Sequence, residues 1–318
     1  MREWLRIPKE FLVDKYNLAQ LMDEYITYKD VRKITKESYR RIFSEYMEYV
    51  NKLPKPPTRE DVKTYREELS EHLAATTVQK HMVVIRGFYE WLYAEGKGEN
   101  IAIGIKGVKT GSNFKRQALS VDQASRLIEH AKSISDRGIV ELRNYAIIGL
   151  MITTGLRTIE VSRADSQDIM FVNDAESLFV RGKGRDAKDE YVKLPEEIHQ
   201  NIVAYQIARS DNKKPLFINH NRNCKNDRIS PKTISTMVKE YLRDVGIDER
   251  IYTAHSLRHT VATVAMNEGA TLYQTQQLLR HKSSDTTQIY LHSIQRRESF
   301  VENLVYKKLY KKSEDKDK

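Results

Sequence analysis

Four short segments of this sequence hold side chains suited to a phosphate ester. Thr153–Val161, TTGLRTIEV, sets Arg157 just past a glycine that ends an apolar stretch. An arginine at a helix start can grip a phosphate with a two-pronged, charge-assisted bond while free backbone N–H groups help. Glu160, one helical turn on, is spaced to hold that guanidinium from behind. Ala254–Thr260, AHSLRHT, puts His255 and Arg258 on one helix face, adding a titratable imidazole and a second guanidinium. Leu279–His292, LRHKSSDTTQIYLH, carries His281 in a polar turn and Tyr290 further on, in a helix that Ser283 or Ser284 can cap. Arg181–Lys188, RGKGRDAK, places Lys183 between two glycines, with too few glycines and no following helix for a dinucleotide fingerprint. Singly, these segments read better as surface ion pairs, an exposed lysine and one of 18 tyrosines, most of which pack in cores.

Together they form a set that suits a phosphodiester without a metal. Arg157 and Arg258 would neutralise non-bridging oxygens as charge builds in the transition state. A phenolic oxygen would attack phosphorus and form a covalent phosphotyrosine. A histidine or lysine would exchange protons with the attacking and leaving oxygens. A phenol, with a pKa of about 10, is far more acidic than a sugar alcohol, so phosphotyrosine is a good leaving group for rejoining. No carboxylate cluster suited to Mg²⁺ is visible, which disfavours a two-metal nuclease, and no cofactor is called for.

Positioning these residues calls for a helical scaffold with one hairpin. Leu18, Leu21, Met22 and Tyr25 recur at helical spacing, as do Tyr39, Ile42, Phe43, Tyr46, Met47 and Val50. LPKPP at 53–57 is a breaker; Thr58 with Asp61 marks the start of a third helix. Thr76 or Thr77 is placed to cap a fourth, whose apolar face reads Val78, Met82, Val83, Ile85, Phe88, Tyr89 and Leu92. Residues 1–106 are thus expected to form a helical bundle, 107–119 a polar, basic linker, and 120–318 a second domain. Ser120 with Gln123 starts a helix there, and Tyr145–Leu156 reads as a buried helix too short to span a bilayer. Ser177–Arg181 and Glu190–Leu194 read as the two strands of a hairpin with a polar tip. The predicted class is mainly α with a small antiparallel β-sheet: a helical bundle followed by an α+β domain.

The bulk numbers fit a polyanionic partner. Over 318 residues the formal charge is +10, and both the first 110 residues and the remainder are net basic. The pI is about 9.3 and the mean hydropathy −0.63, which favours nucleic acid over an anionic membrane. The one cysteine, Cys224, allows no internal disulfide and no cysteine-held zinc, in keeping with a reducing cytoplasm. The N-terminus carries charges where a signal peptide needs an apolar run, so no membrane association is expected.

The order Arg157, Lys183, His255-x-x-Arg258, His281, Tyr290 resembles the tyrosine recombinase, or phage integrase, family. TTGLRTIEV is similar to its first-arginine box, HSLRHT to its His-x-x-Arg box and HKSSDTTQIYLH to its nucleophile box. Thr76–Asn100 is similar to the last helix of its SAM-like core-binding domain. The resemblance covers nearly the whole chain. It implies a site-specific recombinase that cuts and rejoins DNA through a 3′-phosphotyrosine, for integration or excision of a mobile element or resolution of replicon dimers. It also implies that Arg157 and Arg258 bind the scissile phosphate, Tyr290 is the nucleophile and Lys183 the general acid for the 5′-oxygen. His255 would exchange a proton with the tyrosine oxygen, His281 would hold a non-bridging oxygen, and Glu160 would support Arg157. The implied partners are double-stranded DNA with paired recombination sites, three further copies of the chain in a tetramer, and an accessory directionality protein. Phe300 with Leu304, and Val301 with Val305, suit a C-terminal helix that docks on a neighbour. A first helix beginning near Lys15 fits the compact two-domain, Xer-like members. Two positions depart from the family pattern. Arg280 stands where the family usually has glycine, and a longer hairpin leaves Lys188 or Arg185 able to take the acid's role.

Two rival readings make separate expectations. A type IB topoisomerase-like enzyme would relax DNA without joining different molecules. A DNA-binding regulator with the same fold would have a broken residue set, whereas all six positions are filled here.

Overall fold

The computed structural model describes residues 15–109, 117–181, 187–220 and 227–280. The chain folds as two compact units, Met1–Asn113 and Phe114–Lys318. The first holds α1 (Lys15–Tyr28), α2 (Lys33–Lys52), α3 (Arg59–His72) and α4 (Ala75–Ala94). Its core is rich in aromatic rings: Tyr25, Phe43, Tyr46, Phe88 and Tyr89 are all buried. The Tyr46 and Tyr89 hydroxyls satisfy each other at 3.0 Å, as buried phenols must. Thr58 caps α3 as the sequence predicts, its N–H donating to the Asp61 carboxylate at 2.7 Å.

Two expectations for α4 need correction. Thr76 and Thr77 lie inside its first turn, and extended Ala74 precedes the helix without a side-chain cap. Only Leu73 and Ala74 join α3 to α4, so the helix begins before either threonine. Val83 is 49% exposed, whereas Val84 is 2% exposed. The buried face of α4 also takes in His81, Phe88, Trp91 and Leu92, which places position 84 on that face and position 83 on the opposite side.

The second unit is built around α6 (Ile139–Thr154), which buries Tyr145 to Met151 without a break. Around it stand α5 (Val121–Ser133), α8 (Glu196–Arg209), α9 (Pro231–Asp244) and α10 (Ala254–Asn267), with α7 (Thr158–Arg163) packed on α9 and α11 (Leu272–Leu279) on α10. Ser120 and Gln123 form the expected capping box on α5. Pro231 opens α9 behind a capping Ser230, where a missing N–H costs nothing.

The sheet is antiparallel, in the order β1 (Ile169–Val172), β2 (Ala175–Val180), β3 (Glu190–Lys193). Val180 pairs with Glu190 and Ser177 with Lys193, so the expected hairpin is present. Strand β1 is an addition to it. Asn173 and Asp174, at φ 47° and 61°, make the two-residue turn that pairs Val172 with Ala175. Both residues tolerate the left-handed region, and this is the turn that matches the twist of a hairpin. Among the described residues, no helix is long and apolar enough to cross a membrane.

Candidate active site

Arg157 sits between α6 and α7. The chain leaves α6 through Gly155 at φ +64°, and a Cβ built there would lie 2.7 Å from Cδ2 of Leu279. Only glycine meets both demands, the left-handed turn and the close approach of α11. Two residues later Arg157, extended at φ −77°, precedes α7. Its guanidinium donates to Oε1 of Glu160 at 2.7 Å, and its backbone N–H to Oε2 at 2.8 Å. The Arg157 side chain remains 24% exposed, while Glu160 is fully buried. The i to i+3 spacing that suggested this support delivers it.

Burial pushes the Glu160 carboxyl upward. The Arg280 guanidinium, the Arg157 N–H and the charges on Arg157 and Arg258 outweigh that and hold it below its ordinary 4.5. Glu160 is therefore an anion, and it orients Arg157 by charge as well as by hydrogen bonds.

Arg258 comes from α10, and its side chain is buried. Nη1 donates to the Gly155 carbonyl at 2.5 Å and Nη2 to the Leu279 carbonyl. One guanidinium thus ties the turn that delivers Arg157 to the end of α11, from which the chain runs on into His281. His255 stands one turn before Arg258, half-buried, in the first turn of α10 that Thr253 caps. Its ring meets His259 edge-on at 4.7 Å between centroids. The second arginine and this histidine therefore share one rigid helix.

Lys188 is already engaged. Its ammonium lies 2.7 Å from Oδ2 of Asp165 and 2.5 Å from Oδ2 of Asp168, both carboxylates being buried. Arg228 bonds the other oxygen of Asp165. Burial raises the Asp165 carboxyl, but hydrogen bonds from Lys188 and Arg228, together with their charges, hold it below its ordinary 3.8. Sequence reasoning did not foresee this cluster: Asp165 and Asp168 are neighbours at i and i+3, but Lys188 and Arg228 lie 20 or more residues further along the chain. Lys183, Arg185, His281 and Tyr290 lie outside the described residues, as do Ser283, Ser284 and the apolar pairs at 300–305.

Sequence reasoning also passed over Arg280 as part of the site. It ends α11 in the left-handed region, φ 53° and ψ 48°. Its buried guanidinium donates to Oε2 of Glu160 at 3.1 Å and to the Leu278 carbonyl at 2.8 Å. Among the described residues no group of three or more His, Cys, Asp or Glu could hold a metal ion.

The model of the phage integrase family matches residues 117–297, more than half of the chain, and that of the phage integrase N-terminal SAM-like domain matches residues 18–96. The chain belongs to the phage integrase family. It is a tyrosine-type site-specific DNA recombinase. This recombinase is 32% identical to the tyrosine recombinase XerC of Thermodesulfovibrio yellowstonii over 238 residues, 71% of this chain and 74% of the relative. It is 28% identical to XerA of Pyrococcus horikoshii over 272 residues, 86% of this chain and 88% of the relative. In fold it is similar to the XerH recombinase bound to a palindromic difH substrate in a post-cleavage complex. The TM-score is 0.72 and the identity 19%, over 91% of this chain and 84% of that one. It is also similar to a lambda integrase fragment bound as a dimer to a COC′ core site. There the TM-score is 0.64 and the identity 16%, over 84% and 96% of the two chains. The recombinase's mainly helical fold with a small antiparallel sheet agrees with both.

Proposed function

We propose that this recombinase cuts and rejoins DNA through a 3′-phosphotyrosine on Tyr290, with Arg157 and Arg258 holding the scissile phosphate. The observation that carries this reading is the convergence of the two arginines on one turn. Arg157 follows Gly155 and is braced by the buried anion Glu160, while Arg258 of α10 bonds the Gly155 carbonyl itself. Two guanidinia fixed before substrate arrives can stabilise a phosphorane-like transition state without reorganising. The Tyr290 oxygen attacks phosphorus, a P–O(Tyr) bond forms, and the bond to the 5′-oxygen breaks as that oxygen takes a proton. Lys183 supplies that proton; Lys188 is bound to two carboxylates and is not free for the task. His255 takes the phenolic proton, and His281 bonds a non-bridging oxygen. A 5′-hydroxyl from a second duplex then attacks the phosphotyrosine and reverses the steps.

The partners in this reading are duplex DNA with paired sites, sister subunits in a tetramer, and an accessory directionality protein, and the work is done in the cytoplasm. XerH and the lambda integrase fragment were each seen on DNA, which supports the first of these. The same chemistry serves integration or excision of a mobile element and resolution of replicon dimers. Covalent capture decides between these uses. The protein is incubated with fragmented host DNA in EDTA and denatured, and the DNA that stays attached is sequenced. Attachment at one short sequence through a 3′-phosphate is expected, and its genomic neighbourhood identifies the role. Attachment through a 5′-phosphate, or none at all, would contradict the mechanism.

A further inference from the structure

Arg280 is an awkward residue for its backbone. Its left-handed conformation, φ 53°, is unfavourable for any residue with a Cβ, and glycine is what the family resemblance leads one to expect there. Its side chain does not reach for water. It is 4% exposed and crosses from the end of α11 to the fully buried Glu160, 120 positions earlier in the chain. The Glu160 carboxylate therefore serves two arginines, Arg157 through both oxygens and Arg280 through Oε2. Arg258 stands close by, its Nη2 bonded to the residue just before Arg280. Three guanidinia from three elements thus surround one anion.

The charge balance matters for a phosphate site. Arg157 and Glu160 alone form a neutral pair, and the anion would offset much of the attraction that Arg157 exerts on a phosphate. A second cation, bonded to Oε2 while the Arg157 guanidinium takes Oε1, restores the positive field and stops Glu160 from shifting. We infer that Arg280 is a positioning residue of the phosphate site: acting through Glu160, it locks the Arg157 guanidinium and compensates the carboxylate that braces it. This rests on the assignment of Arg157 to the scissile phosphate. The groups facing the pair are Arg157 and Arg258 around Glu160, and Arg157 with Glu190 of β3 around Arg280.

The test uses the full-length protein and a nicked duplex carrying the site recovered by covalent capture. Arg280→Gly removes the side chain and relaxes the left-handed residue, so the fold should survive. Single-turnover cleavage at saturating protein should fall about tenfold to a hundredfold, the scale of a misplaced reactive group, with the Kd for the duplex changed by less than about threefold. The acid limb of its rate profile should move to higher pH, because Glu160 loses a cation while its burial still pushes the carboxyl up. In a Glu160→Gln background the same change should cost little more. Arg280→Lys, which keeps the charge but loses the fork, should retain an intermediate rate. A wild-type rate for Arg280→Gly would overturn the inference. So would a loss that saturating protein restores, or one of equal size with and without Glu160. Loss of cleavage by the wild-type protein itself, or full cleavage by Arg157→Ala, would instead remove the reading of Arg157 on which the inference stands.

Discussion

The residues around Gly155 show how the site depends on direction rather than charge alone. Glu160 holds Arg157 by its backbone N–H and by Nη1 of its guanidinium, and two backbone carbonyls hold the Arg258 guanidinium, so both side chains are directed before DNA arrives. Arg157→Ala and Arg258→Ala should each cost about 3 kcal/mol or more of transition-state stabilisation, by analogy with lost oxyanion donors. Lysine at either position should rescue poorly, since a point charge cannot replace the fork; single-turnover cleavage rates measure both, and near-wild-type rates for the lysine variants would refute the argument. The acid can be isolated chemically, because a 5′-thiolate leaves without a proton. Lys183→Ala should cleave ordinary DNA slowly and be largely rescued by a bridging 5′-phosphorothiolate. Lys188→Ala should show no such rescue, since Lys188 anchors Asp165 and Asp168. Rescue of Lys188→Ala would show that the hairpin register is wrong. The support of Arg157 by Glu160 was legible in the sequence because it is a contact within one helical turn. The contact of Arg280 with Glu160 was not, since it depends on how α11 packs against the turn before α7.

At the scale of elements, the Gly155 turn fixes where α6, α7 and α11 meet. Gly155→Ala must place a Cβ in a left-handed residue 2.7 Å from a Leu279 methyl. The backbone penalty is about 1–2 kcal/mol and overpacking adds about 1–3. A drop of about 2–5 kcal/mol in unfolding free energy is therefore expected from urea titration, with a loss of cleavage; a variant as stable as wild type would mean that α11 does not press on this turn. Helix starts with a reciprocal cap, at Thr58 and Ser120, could be read from the sequence because they are local. The start of α4 could not, because a two-residue connection rather than a capping side chain sets it. The turn at Asn173 and Asp174 did carry a signal: two residues that tolerate positive φ stand between apolar runs. The Lys188, Asp165, Asp168 and Arg228 cluster carried none, because a buried ion network is visible only once the chain has brought its members together.

For the whole molecule, the charge of +10 gives a general attraction to duplex DNA on which the site's few specific contacts are superimposed. The logarithm of the binding constant should fall steeply and linearly with the logarithm of salt concentration, each neutralised phosphate adding about 0.9 to the slope. A flat plot would show that the basic surface serves something other than DNA. In the proposed mechanism a single oxygen atom, that of Tyr290, joins the binding surface to the chemistry, and the most direct test removes only that atom. Tyr290→Phe and wild-type protein are each incubated with a nicked duplex carrying the captured site, then resolved under denaturing conditions. The expected result is equal binding by both, a covalent protein–DNA adduct for wild type whose nucleotide maps to Tyr290, and no adduct for Tyr290→Phe. An adduct formed by Tyr290→Phe, or a wild-type adduct on another residue, would contradict the tyrosine assignment outright.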